Sequence, residues 1–178
     1  MEIGVFTAAL RGTRFDHPIR MRKTLLACGY GVWLTHARPL RIAGALLMVY
    51  AVFGVFWPPM HLRPVLAAGG GTLTDTLHIV WTAISAALMM LAMGFAAAFF
   101  GTPFRVYSIV TIIAMLVFGW VTGTYAPAMQ ADLPTPWVGV VERVLIAFQM
   151  LWIVAFATAL LRAPAAASQA RRGEALAA

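Results

Sequence analysis

The feature that most constrains the fold is a long apolar stretch from Leu77 to Phe100, which carries no charge after His78. An α-helix rises about 1.5 Å per residue, so a helix of this length spans a hydrocarbon layer of ~30 Å. The whole chain agrees with this interpretation, because 62% of its residues are hydrophobic, 11% are charged and the mean hydropathy is +0.85. Such values are typical of multi-span membrane proteins rather than of soluble domains. The sequence therefore predicts an integral membrane protein with one membrane domain.

Three further apolar stretches are long enough to cross a membrane as helices. The predicted fold class is all-α, an integral membrane bundle of four transmembrane helices plus a short N-terminal apolar segment. The spans are predicted at about 40–59, 77–100, 106–125 and 138–161. The Pro58-Pro59 pair ends the first span, because proline interrupts a helix. Asp75 and its two flanking threonines begin the second, because their side-chain oxygens accept amide protons of the first helical turn.

The two ends of the chain differ in composition from the membrane domain, which is predicted over residues 24–162. Residues 1–23 form a basic N-terminal segment that we expect to be disordered or interfacial, and residues 163–178 form a flexible cytoplasmic tail. Within the membrane domain, the apolar segment Thr24 to Thr35 has only 12 residues and is too short to cross unaided. We expect it to lie at the cytoplasmic interface or to dip into the membrane.

The basic residues indicate the orientation of the bundle. With four crossings, two basic residues, Arg63 and Arg143, fall on one side and the other eleven of the 13 fall on the opposite side. Basic residues accumulate in cytoplasmic loops, so the sequence predicts a cytoplasmic membrane location with both termini inside. The same argument accounts for the net charge of +7, and no nucleic-acid partner is predicted.

Four ionisable side chains at the predicted outer end are candidates for chemistry. His61, Asp75, His78 and Glu142 together supply nitrogen and oxygen ligands of the kind that zinc binds. A zinc-bound water at this depth could attack an ester or amide bond in a lipid. The chain contains neither HExxH nor HxxxH, and the four residues come from three separate segments. The metal and catalytic roles of these residues are therefore a hypothesis that requires their convergence in space.

The same residues also admit a purely structural interpretation, which we favour. Asp75 caps the second span and interacts favourably with the helix dipole. His78 forms a hydrogen bond to a neighbouring backbone group. Glu142 pairs with Arg63 or Arg143 at the wet interface, where such a pair contributes about 0–1 kcal/mol. These contacts would hold the outer loops together without any catalytic role.

A small transporter is the third interpretation. Such a protein needs a polar cavity that reaches mid-bilayer, and the side chains available there are few, chiefly Ser85 and Gln149. No span is broken at mid-membrane by glycine or proline beside a charge, which is the usual sign of a substrate site. The Gly119 to Gly123 GxxxG motif of the third span is expected to pack against a neighbouring span of the same chain.

Four segments resemble a bacterial membrane family catalogued as domain of unknown function 998. They are RIAGALLMVYAVFGVFWPPMHLR (41–63), TLTDTLHIVWT (72–82), FRVYSIVTI (104–112) and LPTPWVGVVERV (133–144). The resemblance covers roughly residues 25–162 and implies fold and location only. Family members look like bundles of about six spans, and this chain resembles one that lacks the first span. One hypothesis is a truncated or mis-started product, which mapping the N-terminus of the native protein by mass spectrometry would test.

The function predicted from these observations is coarse. The chain is interpreted as a multi-span integral membrane protein of unknown biochemical activity, with a structural, accessory or small-molecule-binding role. A metal-assisted hydrolase with an outer-face His/Asp/Glu site and a small transporter are the alternatives. The lipid bilayer is the predicted partner. A homo-oligomer or a membrane partner stays open, as do enzymatic activity and any cofactor.

Overall fold

A computed structural model of the chain describes residues 18–35 and 37–177, with side chains for residues 23–35, 37–62 and 64–163. This part is helical and contains no strand, so the predicted all-α fold is confirmed. Residues 1–17 of the predicted basic segment lie outside the described residues. The helices are α1 (Pro18–Trp33), α2 (Arg38–Val55), α3 (Arg63–Ala67), α4 (Leu73–Phe99), α5 (Thr102–Thr124), α6 (Ala126–Gln130) and α7 (Val138–Ala177).

Four helical stretches of the described chain are long and apolar enough to cross a membrane, as predicted. They are Arg38–Val55, Leu73–Phe99, Thr102–Gln130 and Val138–Ala163. The first is shorter than predicted, because the helix already ends at Val55 and the Trp57-Pro58-Pro59 segment lies outside it. The second begins four residues earlier than predicted, because Thr72 occupies the N-cap position and Asp75 lies inside the first turn.

The apolar segment before the first span forms most of α1, which folds back against α2 as an antiparallel hairpin. The two helices approach so closely at Gly29 and Gly44 that a Cβ added to Gly44 would lie 2.5 Å from the Gly29 carbonyl oxygen. It would also lie 2.6 Å from the backbone nitrogen of Trp33. The turn is closed by Thr35, whose hydroxyl donates to the Val32 carbonyl at 2.8 Å. The segment is thus packed along the bundle, although its depth in a membrane stays a prediction.

The helices pack in the order of the sequence, with α2 on α4, α4 on α5 and α5 on α7. The bundle therefore has two ends. The basic end carries the α1–α2 turn and the α4–α5 turn, with Arg38, Arg41, Arg105 and Arg162. The loop end carries the segments 56–72 and 125–137, where α3 contacts α6. Which end faces the cytoplasm stays a prediction.

One buried cluster connects the helices. It comprises Val32, Leu40, Ala43, Leu47, Met89, Ala92, Met93, Ala96, Met115, Trp152 and Phe156. Trp152 and Phe156 stack with ring centroids 5.0 Å apart, and Phe104 lies 5.9 Å from the Trp152 ring. The Trp152 indole nitrogen donates to the buried Ser108 hydroxyl at 2.9 Å, so α7 is fixed to α5 by a polar contact within an apolar core.

Two predictions about the C-terminal half hold only in part. The GxxxG motif faces a neighbouring span at one position, since a Cβ on Gly119 would meet Leu145 of α7 at an ordinary 3.8 Å, whereas one on Gly123 would meet no described atom within 4 Å. In addition, α7 does not end at Arg162 and Pro164 but continues to Ala177. The tail is rich in alanine, which has the highest helix propensity. Whether this helical tail is flexible stays a prediction.

Candidate functional site

The candidate site lies at the loop end, where the chain leaving α2 contacts the first turns of α4. Three α4 side chains make these contacts, namely Asp75, His78 and Trp81. They are spaced three residues apart, so they lie on one face of the helix. We call this set of contacts the loop clasp.

The carboxylate of Asp75 is the most densely bonded group of the loop clasp. It accepts hydrogen bonds from the backbone amides of His61 and Thr72, both at 2.7 Å. It also contacts His61 Nδ1 at 2.9 Å and the Thr72 hydroxyl at 3.1 Å. Asp75 is 6% exposed and is the third residue of α4, in the arrangement of a capping box. Both oxygens are therefore occupied by donors of the protein itself, and the predicted capping role extends to a second segment.

The imidazole of His61 is oriented by the Asp75 carboxylate. An ionised carboxylate only accepts hydrogen bonds, so the Nδ1 atom at 2.9 Å carries the proton between them. The Nε2 atom lies on the opposite side of the ring, and the side chain is 42% exposed. This arrangement leaves one ring nitrogen available to accept a proton or to bind a ligand from solvent.

His78 contacts a different part of the same loop. Its Nδ1 atom lies 2.8 Å from the carbonyl oxygen of Pro58, which only accepts, so Nδ1 donates. The ring also meets Trp57 edge-on, with centroids 5.6 Å apart. The predicted hydrogen bond from His78 to a neighbouring backbone group is thus present in the structure. It fixes the loop immediately after α2.

Trp81 completes the loop clasp one turn deeper and was not among the predicted site residues. Its indole nitrogen donates to the Phe53 carbonyl at 2.8 Å, and the two rings stack with centroids 4.4 Å apart. Phe53 lies in the last turn of α2, and its carbonyl also accepts a hydrogen bond from the Phe56 amide at 3.2 Å. The end of the first span was the signal in the sequence, because carbonyls in the last turn of a helix can accept donors from outside it.

Glu142 makes no hydrogen bond or ion pair with His61, Asp75 or His78 among the described side chains. It is exposed on α7. Its predicted partner Arg143 donates instead to the Gly139 carbonyl of the same helix at 3.0 Å. The side chain of Arg63, the other predicted partner, lies outside the described side chains. Across the described residues, no three His, Cys, Asp or Glu side chains lie close enough to hold a metal ion.

The polar side chains predicted at mid-membrane are buried but do not form a network in the described structure. Ser85 is 4% exposed, and its hydroxyl has no hydrogen-bond partner there. Gln149 is 9% exposed. The Thr111 hydroxyl donates to the Tyr107 carbonyl of its own helix at 2.9 Å. These groups alone do not make the continuous polar path that a transporter needs.

Comparison with known proteins identifies a family but no activity. A family model described as "Protein of unknown function (DUF998)" matches residues 24–159, which is most of the chain. Neither the search of curated proteins nor that of solved structures finds a match. The match agrees with the resemblance noted in the sequence and carries no assigned activity.

Proposed function

The chain belongs to the DUF998 family of proteins of unknown function, and from that premise we propose that it is a non-catalytic structural or accessory protein of the membrane. We further propose a bacterial cytoplasmic membrane with both termini inside. The distribution of basic residues and the resemblance to a bacterial family support this location. The multi-pass character itself follows from the four apolar helices.

One observation carries the proposal of a non-catalytic role, namely that the candidate ligands do not all converge: His61 and Asp75 contact each other, whereas His78 contacts the Pro58 carbonyl. The Asp75 carboxylate bonds His61 and Thr72, whereas His78 bonds the Pro58 carbonyl. The contacts to His61 and Pro58 join the loop after α2 to the start of α4, and the contact to Thr72 is the local cap of α4. Such contacts fix a loop in place, and no three of the described candidate side chains lie close enough to share a metal ion.

Metal analysis of the detergent-purified protein tests this proposal. We expect elemental mass spectrometry to find far less than one transition-metal ion per chain, both in the wild type and in His78→Ala. Zinc at one ion per chain that is lost in His78→Ala would overturn the proposal. It would instead support the metal-assisted hydrolase with His61, Asp75, His78 and Glu142 as candidate ligands. Glu142→Ala tests the fourth candidate ligand separately, because its side chain is exposed and forms no described hydrogen bond or ion pair with the other three.

A second candidate, acid–base catalysis at the loop end, is favoured by the His61–Asp75 pair. A carboxylate that contacts Nδ1 of a partly exposed histidine is an arrangement in which imidazole can act as a general base. A screen of amphiphilic esters with the wild type and His61→Gln tests it. Ester hydrolysis by the wild type but not by His61→Gln would favour the enzyme. Equal background rates of hydrolysis with both proteins would favour the accessory role.

A further inference from the structure

The cleft at the basic end is lined by Trp33, Arg38, Arg41, Ile42 and Ala45, and it opens to the surface of the bundle. We propose that this cleft binds the headgroup phosphate of an anionic phospholipid. The proposal rests on the charges, the aromatic platform and the apolar surface around the cleft. It does not depend on whether the loop end is catalytic or structural.

The charge of the cleft is uncompensated within the described structure. Arg38 and Arg41 lie one turn apart at the start of α2, and both are exposed. No described carboxylate lies within 4.0 Å of either guanidinium, since His61–Asp75 is the ion pair found among the described side chains. The other described acidic residues, Asp132 and Glu142, lie towards the loop end. Two guanidinium groups side by side are the usual recognition element for a phosphate.

The Arg41 side chain is held over an aromatic ring. Its guanidinium carbon lies 5.7 Å from the centroid of the Trp33 ring, within the range of a cation–π contact. Trp33 in turn stacks with Tyr30 at 6.1 Å, and both rings are partly exposed. Exposed Trp and Tyr rings are enriched at the level of lipid headgroups. The platform therefore holds a guanidinium group beside aromatic rings of the kind that lie at headgroup level.

An apolar stripe continues from the cleft along the same face of α2, and it distinguishes a lipid from a free phosphate. Ile42, Val49 and Val52 are 42%, 44% and 44% exposed. With Ala45 they follow a helical spacing of three and four residues, so they form one continuous surface. An acyl chain attached to a phosphate in the cleft can lie along this stripe, whereas inorganic phosphate gains nothing from it. The occupant that fits both parts is a phospholipid.

Native mass spectrometry of the full chain in detergent, with added lipid, tests the proposal. We expect phosphatidylglycerol to be retained in preference to phosphatidylcholine with the same acyl chains. Arg38→Gln/Arg41→Gln should weaken this retention by about tenfold or more, because charge-assisted hydrogen bonds to the phosphate are lost. The matched control is Arg105→Gln/Arg162→Gln, which removes the same charge from the same end but not from the cleft.

Arg41→Lys provides a variant that keeps the charge and hence the membrane orientation. We expect it to retain phosphatidylglycerol more weakly than the wild type, because lysine cannot form the planar fork. Equal losses in the cleft variants and in the Arg105/Arg162 control would overturn the proposal in favour of a diffuse charge effect. Displacement of the lipid by millimolar inorganic phosphate would overturn it in favour of a soluble anion. Unchanged retention in all variants would overturn it outright.

Discussion

The two halves of the bundle are held together by different kinds of contact. In the first half, α1, α2 and α4 meet through backbone groups and through the loop clasp. In the second half, α5 and α7 meet through aromatic side chains and one buried hydrogen bond. The buried share of the spans differs accordingly, at 28% for α2 and α4 and 17% for α5 and α7. The first half is the more closely packed framework, and the second half leaves more apolar surface to lipid.

The largest expected effect comes from breaking the closest contact of the first half. Gly44→Val should destabilise the protein by about 3 kcal/mol or more, because the new side chain meets backbone atoms that cannot move aside. The measurement is thermal unfolding in detergent. Gly123→Val in the second half is the matched control, since its Cβ meets no described atom within 4 Å. Equal losses of stability in both variants would contradict the contrast between the halves.

Removing the centre of the loop clasp should have the next largest effect. Asp75→Ala leaves the amides of His61 and Thr72 without their acceptor and removes the Asp75 half of the capping box of α4, so we expect a clear fall in Tm. Protease cleavage in residues 56–72 should accelerate in the same variant, because the loop is released. Glu142→Ala serves as the control for a lost acidic residue at an exposed site. Unaltered cleavage in Asp75→Ala would show that the clasp does not hold the loop.

The second half offers a smaller effect that tests its buried hydrogen bond. Trp152→Phe should destabilise the protein by about 1–2 kcal/mol, because the Ser108 hydroxyl loses its partner in the core. Adding Ser108→Ala should recover part of this loss, and the double-mutant cycle measures the coupling. Trp120→Phe is the control, since that indole is 72% exposed. A strictly additive cycle would mean that the hydrogen bond contributes nothing.

The smallest effect has the opposite sign. Ser85→Ala should leave stability unchanged or raise it by up to about 1 kcal/mol, because its buried hydroxyl has no partner among the described residues. The measurement is thermal unfolding of Ser85→Ala and of the control Thr82→Ala. The exposed Thr82 hydroxyl donates a hydrogen bond within its own helix. A marked loss of stability in Ser85→Ala would indicate that this hydroxyl has a hydrogen-bond partner. It would support the transporter interpretation, which needs a polar path at mid-membrane.

The spans could be predicted from the sequence because hydrocarbon selects long apolar helices whatever their neighbours are. The capping role of Asp75 could also be predicted, since a cap is local to its own helix. Its contact with His61 could not, because the two residues lie 14 positions apart across a loop whose path is set by packing. The start of α4 was displaced by four residues for the same reason, as the choice of Thr72 over Asp75 as N-cap shows.

Small residues misled the prediction in an instructive way. The GxxxG motif of α5 carried the expected spacing but has open space at Gly123, whereas Gly29 and Gly44 make the close contact without any shared motif. A motif within one helix says only that the helix has a flat face. Close approach requires a flat face on the partner at the same depth, and that depends on the register of two helices. The pair Arg41 and Trp33 was missed similarly, because a cation–π contact across a turn follows from the turn geometry.

The Gly29–Gly44 contact also bears on the order in which the bundle is assembled during synthesis. It joins two helices separated by one short turn, so little chain entropy is lost when it forms. The Trp152–Ser108 hydrogen bond, by contrast, connects residues 44 positions apart and requires α7 to have been made. Because chains emerge from the ribosome N-terminus first, the α1–α2 hairpin is complete while the later helices are still being translated. We therefore expect it to provide the surface on which α4, and then α5 and α7, are added in turn.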